Sequence, residues 1–222
     1  MKLFLLVIIA AVLLGLAFGG RLTSLERLRM HWWGLALVGL GIQFIPLPEG
    51  SGGVDLTVRT AALVISYTLL LTFAAANLRM PGMTLLFAGL AMNFTVIAVN
   101  GGMPVGGEAL RASGQAGVIA TLQTERADKH HLLSGDDRLT FLADVIALPP
   151  PVGQAISIGD VFIYAGLIWT IVAAMRGRTP SPSSGGVWGP YRGRHRPGEA
   201  QAPVVPTDFG FLPATTRSGT SR

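Results

Sequence analysis

The sequence contains no cysteine and few charged residues, and each shortage excludes a class of protein or site. Without cysteine the chain has no disulfides, no thiolate metal ligands and no cysteine nucleophile. Charged residues make up 13% of the 222 residues, whereas 50% are hydrophobic. A soluble domain of this size needs more charge to cover its surface. The composition therefore predicts a membrane protein, with the lipid bilayer as its first partner.

The positive charge of the chain is not distributed as in a nucleic-acid-binding protein. The formal net charge is +5, but lysine and arginine stand at the ends of apolar runs and in a C-terminal segment rather than in one folded region. Basic residues that flank apolar runs are typical of membrane proteins. We therefore expect no nucleic-acid partner.

Five apolar runs are long enough, or nearly so, to cross the hydrocarbon core, which takes about 17–25 residues. They cover residues 3–19, 31–48, 60–77, 83–99 and 158–175. Inside lipid the backbone must satisfy its own hydrogen bonds, so the runs are predicted to be helices. The predicted fold is an all-α membrane protein, a bundle of about five transmembrane helices within residues 1–178. The first run is alternatively a cleaved signal peptide, because small residues follow its apolar stretch.

The arginine distribution predicts the orientation of the bundle. Basic residues accumulate in the segments that follow the first, third and fifth apolar runs, which an alternating topology places on one side of the membrane. These residues are Arg21, Arg27, Arg29, Arg79, Arg176 and Arg178. The cytoplasmic side carries such an excess. We predict a multi-pass protein of the bacterial plasma membrane with its N-terminus outside, its C-terminus inside and residues 100–157 as a long outer loop. Residues 179–222, rich in Pro, Gly, Ser and Arg, are predicted to be a disordered cytoplasmic tail.

Most residues capable of chemistry lie between Asn93 and Asp160, in or next to the predicted loop. The candidate catalytic residues are Asp144 and Asp160, and the candidate substrate-binding residues are Asn93, Asn100, Arg138, His130 and His131. Adjacent histidines on a helix point about 100° apart and cannot hold one metal ion. We therefore predict no metal and no cofactor, and an exposed, pH-sensitive histidine pair.

Two interpretations of Asp160 remain open. Ser157 precedes it by three residues at the start of an apolar run, the pattern of a helix capping box. Alternatively, Asp144 and Asp160 lie close together, and the repulsion between their charges raises one pKa, which gives an acid and a base. Asn93 has a similar pair of interpretations, a hydrogen bond to a neighbouring helix or a contact with substrate.

Several motifs resemble those of a bacterial family of small membrane proteins that is known only as a domain of unknown function. They are Asn100-Gly101-Gly102-Met103-Pro104-Val105, Lys129-His130-His131-Leu132-Leu133, Leu142-Ala143-Asp144-Val145-Ile146 and Ser157-Ile158-Gly159-Asp160-Val161. The resemblance covers about residues 1–178. It implies a membrane protein and no particular activity.

The last part of the core also resembles lipoprotein signal peptidases. The similar elements are Asp137-Arg138, Asp144-Val145-Ile146, and Ser157-Ile158-Gly159-Asp160-Val161-Phe162-Ile163 with Gly166, while Asn100-Gly101-Gly102 is similar to an Asn-x-Gly element of those peptidases. The resemblance implies that Asp144 and Asp160 are the catalytic acids at the outer membrane face. The chain departs from the pattern: five helices replace four, and Ser157 and Gly159 replace asparagine and alanine. The two acids are also 16 positions apart, which is a shorter spacing than in those peptidases.

Three functions follow as hypotheses. The first is an uncharacterised polytopic protein whose outer loop binds a peptide, a lipid-linked ligand or a partner. The second is an aspartic intramembrane peptidase that uses Asp144 and Asp160, with Asn100 orienting the substrate. The third is a small transporter, for which few buried polar residues are available. The oligomeric state is left open by the sequence.

Overall fold

The computed structural model describes residues 2–44, 53–124 and 130–179. These residues are mostly helical, as predicted, but they also contain short strands that an all-α fold lacks. The helices are α1 (Lys2–Ala17), α2 (Trp33–Phe44), α3 (Gly53–Ala76), α4 (Met83–Asn100), α5 (Gly107–Ala112), α6 (Val118–Thr124) and α7 (Ile158–Met175). The strands are β1 (Met103–Val105), β2 (His130–Leu132), β3 (Ile146–Leu148) and β4 (Gln154–Ile156), and 3-10 helices cover Leu22–Arg27 and Thr140–Leu142.

Five of the helices coincide with the five apolar runs. In the part of the chain that the structure describes, α4 and α7 are long and apolar enough to cross a membrane by length and composition, and three shorter apolar helices are Lys2–Ala17, Trp33–Phe44 and Thr60–Ala76. Helix α3 begins at Gly53 rather than at residue 60, because the hydropathy pattern locates apolar surface and not the polar turns that continue a helix. Residues 45–48 of the second run and residues 180–222 of the predicted tail lie outside the described residues.

Helices α4 and α7 approach each other closely at glycines. A β-carbon at Gly89 of α4 would collide with the carbonyl oxygen of Gly159 on α7, and one at Gly82 would collide with the backbone of Gly166. Small residues allow helix backbones to come this near, as in membrane helix pairs. The contact brings the side chain of Asn93 on α4 to the first turn of α7.

The remaining long helices pack around this pair. Helix α1 runs beside α7: Leu3 and Val7 form a cluster with Ile156, and at its other end the Arg21 N–H donates to the Met175 carbonyl oxygen at 2.8 Å. Helix α2 packs on α3, which in turn packs on α4. The start of α1 therefore lies with the start of α7, and the connection after α1 lies with the end of α7.

Residues 101–157 are a folded unit in their described part, which corrects the prediction of a long loop. Strand β1 pairs in parallel with β2, and β3 pairs with β4 in an antiparallel hairpin. On the other side of β1, the Asp144 N–H donates to the Pro104 carbonyl oxygen at 3.0 Å. Leu110, Leu122 and Ala155 contribute to a separate small core. We call residues 101–157 the connecting module.

Candidate functional site

Asp144 lies buried in the connecting module, beside β1. Its Oδ1 atom is buried and has no hydrogen-bond partner among the described residues, whereas Oδ2 lies 3.8 Å from Nε2 of His130. Burial, together with the negative charge of Asp160, raises the pKa of Asp144 to about 8. Asp144 therefore carries a proton at neutral pH.

Asp160 stands in the first turn of α7, in a different environment. The Ser157 side chain accepts a hydrogen bond from the Asp160 N–H at 3.0 Å, and Asp160 Oδ2 accepts one from the Ser157 N–H at 3.2 Å. The predicted capping box is thereby confirmed. Asn93 Nδ2 donates to the other oxygen, Oδ1, at 2.8 Å. Both oxygens of Asp160 therefore accept hydrogen bonds within the protein.

Asn93 connects α4 to the start of α7. Besides its bond to Asp160, it accepts a hydrogen bond from the Ser157 hydroxyl at 2.9 Å, so the predicted hydrogen bond between helices is confirmed. Gly159 makes room for this side chain, since a β-carbon there would collide with Asn93 Oδ1. The asparagine thus orients Asp160 from a neighbouring helix.

Two tyrosines complete the surroundings of the acids. Tyr67 on α3 is buried, and Tyr164 lies on α7 one turn beyond Asp160. Both hydroxyls are near enough to interact electrostatically with Asp144 and Asp160. The two carboxyl groups therefore lie near enough to each other, and to both tyrosines, to interact electrostatically.

The two histidines form neither an exposed pair nor part of a helix, which corrects the prediction. They lie in β2, where successive side chains point to opposite sides. His130 is exposed and faces Asp144, whereas His131 is buried and its Nε2 lies 2.8 Å from Oδ1 of Asp137. Although burial acts to raise it, hydrogen bonds from Ser134 and His131 hold the pKa of Asp137 below its usual value.

Asn100 and Arg138 attach the connecting module to the end of α4. Asn100 Nδ2 donates to the Arg138 carbonyl oxygen at 2.9 Å, and Asn100 Oδ1 accepts from the Arg138 N–H at 2.8 Å. Both polar atoms of the Asn100 amide are therefore used within the protein. The predicted substrate-binding roles of these two residues stay predictions.

Comparison with known proteins places the chain in a family. A family model described as "Family of unknown function (DUF5317)" matches residues 27–172. The chain belongs to this family. The match includes Asn93, Asp144 and Asp160, and it confirms the resemblance to an uncharacterised domain family. No curated protein and no solved structure matches the chain.

The site of this DUF5317 member contains residues that the sequence did not reveal. His130 was a candidate, but its position beside Asp144 depends on the pairing of β1 with β2 across a separation of about 27 residues. Tyr164 and the hydroxyl of Ser157 were not among the candidates. Tyr164 could have been selected because it follows Asp160 by one helical turn. No local sequence pattern indicates that the Ser157 hydroxyl bonds to Asn93.

The described residues of this DUF5317 member contain no group of three or more His, Asp or Glu side chains that could hold a metal ion. The chemistry that the site can support with its own groups is proton transfer, because the raised pKa of Asp144 accompanies a second carboxyl group whose oxygens both accept hydrogen bonds.

Proposed function

We propose that this protein crosses the membrane with α1, α2, α3, α4 and α7, and that the connecting module lies outside the cytoplasm. Large apolar side chains on these helices face outward, among them Leu5, Leu13, Leu37, Val38 and Trp169. Such surfaces are unfavourable in water and are ordinary lipid-facing surfaces in a bilayer. The end opposite the connecting module carries Arg21, Arg29, Arg79, Arg176 and Arg178, which supports a cytoplasmic location for that end.

We further propose that Asp144 and Asp160 are the acid and the base of an aspartic hydrolase that cleaves a peptide bond at the outer membrane face. One observation carries the proposal: the buried Oδ1 of Asp144 lacks a partner, while both oxygens of the nearby Asp160 accept hydrogen bonds. A pair of carboxyl groups that holds one proton is the arrangement that activates water in aspartic peptidases.

The different environments of the two carboxyl groups support a separate role for each. Asp160, the carboxylate, takes a proton from water as the water oxygen attacks the carbonyl carbon of the substrate, while Asp144 gives its proton to the carbonyl oxygen. The resulting tetrahedral diol then returns a hydroxyl proton to Asp144. As the carbon–nitrogen bond breaks, the leaving nitrogen takes the proton from Asp160, so both groups recover their starting states.

The resemblance to lipoprotein signal peptidases supports the same pair. Their two acids fall on Asp144 and Asp160, and in both cases the second acid opens the last helix. The departures at Ser157 and Gly159 occur together with Asn93, which here supplies an amide to Asp160 across the space that Gly159 leaves.

Ligand binding without chemistry is the second candidate. It is favoured by the burial of Asp144 Oδ1, which leaves that atom out of contact with solvent in this conformation. A peptide or a lipid-linked group that reaches Asp144 would then be held by this residue and not cleaved.

Hydrolysis and ligand binding without chemistry predict different sets of protein N-termini in the cell. Protein N-termini are mapped across the membrane proteome of a strain that lacks the gene and carries the wild type, Asp144→Asn, Asp160→Asn or the exposed control Asp136→Asn. We expect a set of membrane-proximal N-termini that falls at least about 100-fold in both site variants and is unchanged in the control. Identical profiles for all four proteins, with equal amounts in the membrane, would refute hydrolysis and favour binding.

A further inference from the structure

The segment Leu139–Val145 lies on the ends of the two helices that are long and apolar enough to cross a membrane. Its 3-10 helix, Thr140–Leu142, contacts both α4 and α7. Leu139 and Leu142 pack against a hydrophobic cluster that includes Val96 and Ile97 of α4. Val96 precedes the end of α4 by four residues, or about 6 Å along the helix. The segment therefore packs directly against the ends of α4 and α7 that face the connecting module.

Two large apolar side chains of this segment face away from the protein. Phe141 is 62% exposed and Val145 is 41% exposed. They flank Asp144, the one titratable residue of Leu139–Val145, which is itself buried. The exposed surface of the segment is thus uncharged, with Thr140 as a polar neighbour of the two apolar side chains.

The neighbouring helix ends expose apolar side chains as well. Val99 in the last turn of α4 is 47% exposed, and Val161 in the first turn of α7 is 44% exposed. Where a helix crosses a membrane, exposed valines in its end turns meet lipid. An uncharged segment at the same level meets the same surroundings.

We propose that Phe141 and Val145 insert among the acyl chains of the outer leaflet and form a lipid-contacting rim beside Asp144. The inference rests on the membrane placement proposed above and is independent of hydrolysis. Its consequence for the site is that acyl chains, not water, border Asp144 on this side, so that a ligand which is itself anchored in lipid can reach the carboxyl without crossing the headgroups.

The absence of cysteine from the chain allows a direct test. Single cysteines at Phe141 and Val145 are spin-labelled in the full-length protein in nanodiscs of phosphatidylcholine and phosphatidylglycerol. Collision with oxygen, which concentrates in lipid, is compared with collision with a water-soluble nickel chelate. The controls are Val161→Cys on α7 and Asp136→Cys, which is exposed in the connecting module.

We expect the labels at 141 and 145 to match the label at 161, with oxygen collisions several-fold above nickel collisions, and the label at 136 to show the reverse. If the labels at 141 and 145 show the same collision ratio as the label at 136, the proposal that Phe141 and Val145 contact lipid is wrong. If the label at 161 also reports water, the membrane placement itself has failed. Should Phe141→Cys not fold, Val145→Cys gives the same comparison, and neither readout depends on catalysis.

Discussion

Asp144 and Asp160 show how one residue type acquires two chemical states from its surroundings. Asp160 receives hydrogen bonds at both oxygens, from Asn93 and from the Ser157 backbone. Asp144 has a buried oxygen without a partner. A carboxylate without donors is poorly stabilised away from water, so the protonated form of Asp144 is favoured.

The protonation state of Asp144 can be measured with a hydrophobic carbodiimide, which reacts with protonated carboxyl groups. Because the pKa of Asp144 is raised to about 8, this carboxyl is protonated below that pH and loses its proton as the pH rises through it. We expect labelling of Asp144 at pH 6–7 that declines with a midpoint near 8, followed by mass spectrometry of the peptides.

Two variants make the labelling specific. Asp144→Asn removes the reactive carboxyl and abolishes the signal, whereas Asp136→Asn, at an exposed acid outside the site, leaves the signal unchanged. A midpoint near 4 for Asp144, or equal labelling of both acids in the wild type, would contradict the assignment of the proton.

At the scale of elements, the contact between α4 and α7 determines whether the acids are held in place. Gly159 sits between the Gly89 backbone and the Asn93 side chain, so an added methyl group has no space. We expect Gly159→Ala to destabilise the protein by about 1–3 kcal/mol, because overpacking forces neighbouring atoms apart. The measurement is thermal unfolding of the detergent-solubilised protein.

Gly41 of α2 provides the matched control. Nothing lies within 4 Å of a β-carbon at this position, and alanine is a better helix former than glycine. Gly41→Ala is expected to leave the unfolding temperature unchanged or to raise it slightly. Equal losses in the two variants would mean that the close contact of α4 with α7 is not what limits stability.

The sequence predicts the long helices because each apolar run is a local signal. The bounds of α7 agree with the prediction at both ends, and its capping box is readable from Ser157 and Asp160. The strands of the connecting module are three residues long, too short for a periodic pattern, and β1 finds β2 only through a pairing between distant segments. A hydropathy pattern contains no information about such contacts between distant segments.

The sequence likewise predicts the local features of the candidate site and not those that depend on contacts between distant segments. Both acids could be selected from their position around the start of the last apolar run. Their different environments could not, because the donor to Asp160 comes from α4 and the burial of Asp144 comes from β1. The prediction that both histidines are exposed was wrong for a related reason: His131 lies in strand β2, which turns its side chain inward onto Asp137.

For the whole molecule, the proposed orientation is tested by cysteine accessibility in intact cells. We expect Asp136→Cys, in the connecting module, to react with a membrane-impermeant maleimide, because the module is proposed to lie outside. Thr23→Cys, in the 3-10 helix after α1, is expected to react only after lysis, since that end carries the arginines. The cysteine-free wild type gives the background, and the opposite labelling pattern would reverse the topology.

The pairing of α1 with α7 also has a consequence for biogenesis. Leu3 and Val7 contact residues around Ile156 and Tyr164, and Gly15 lies against Met175, so α1 packs on a helix that the ribosome makes much later. About 140 residues separate the two helices, which takes on the order of ten to thirty seconds to translate. Until α7 emerges, α1 is without this native neighbour, and the contact between the two helices forms only afterwards.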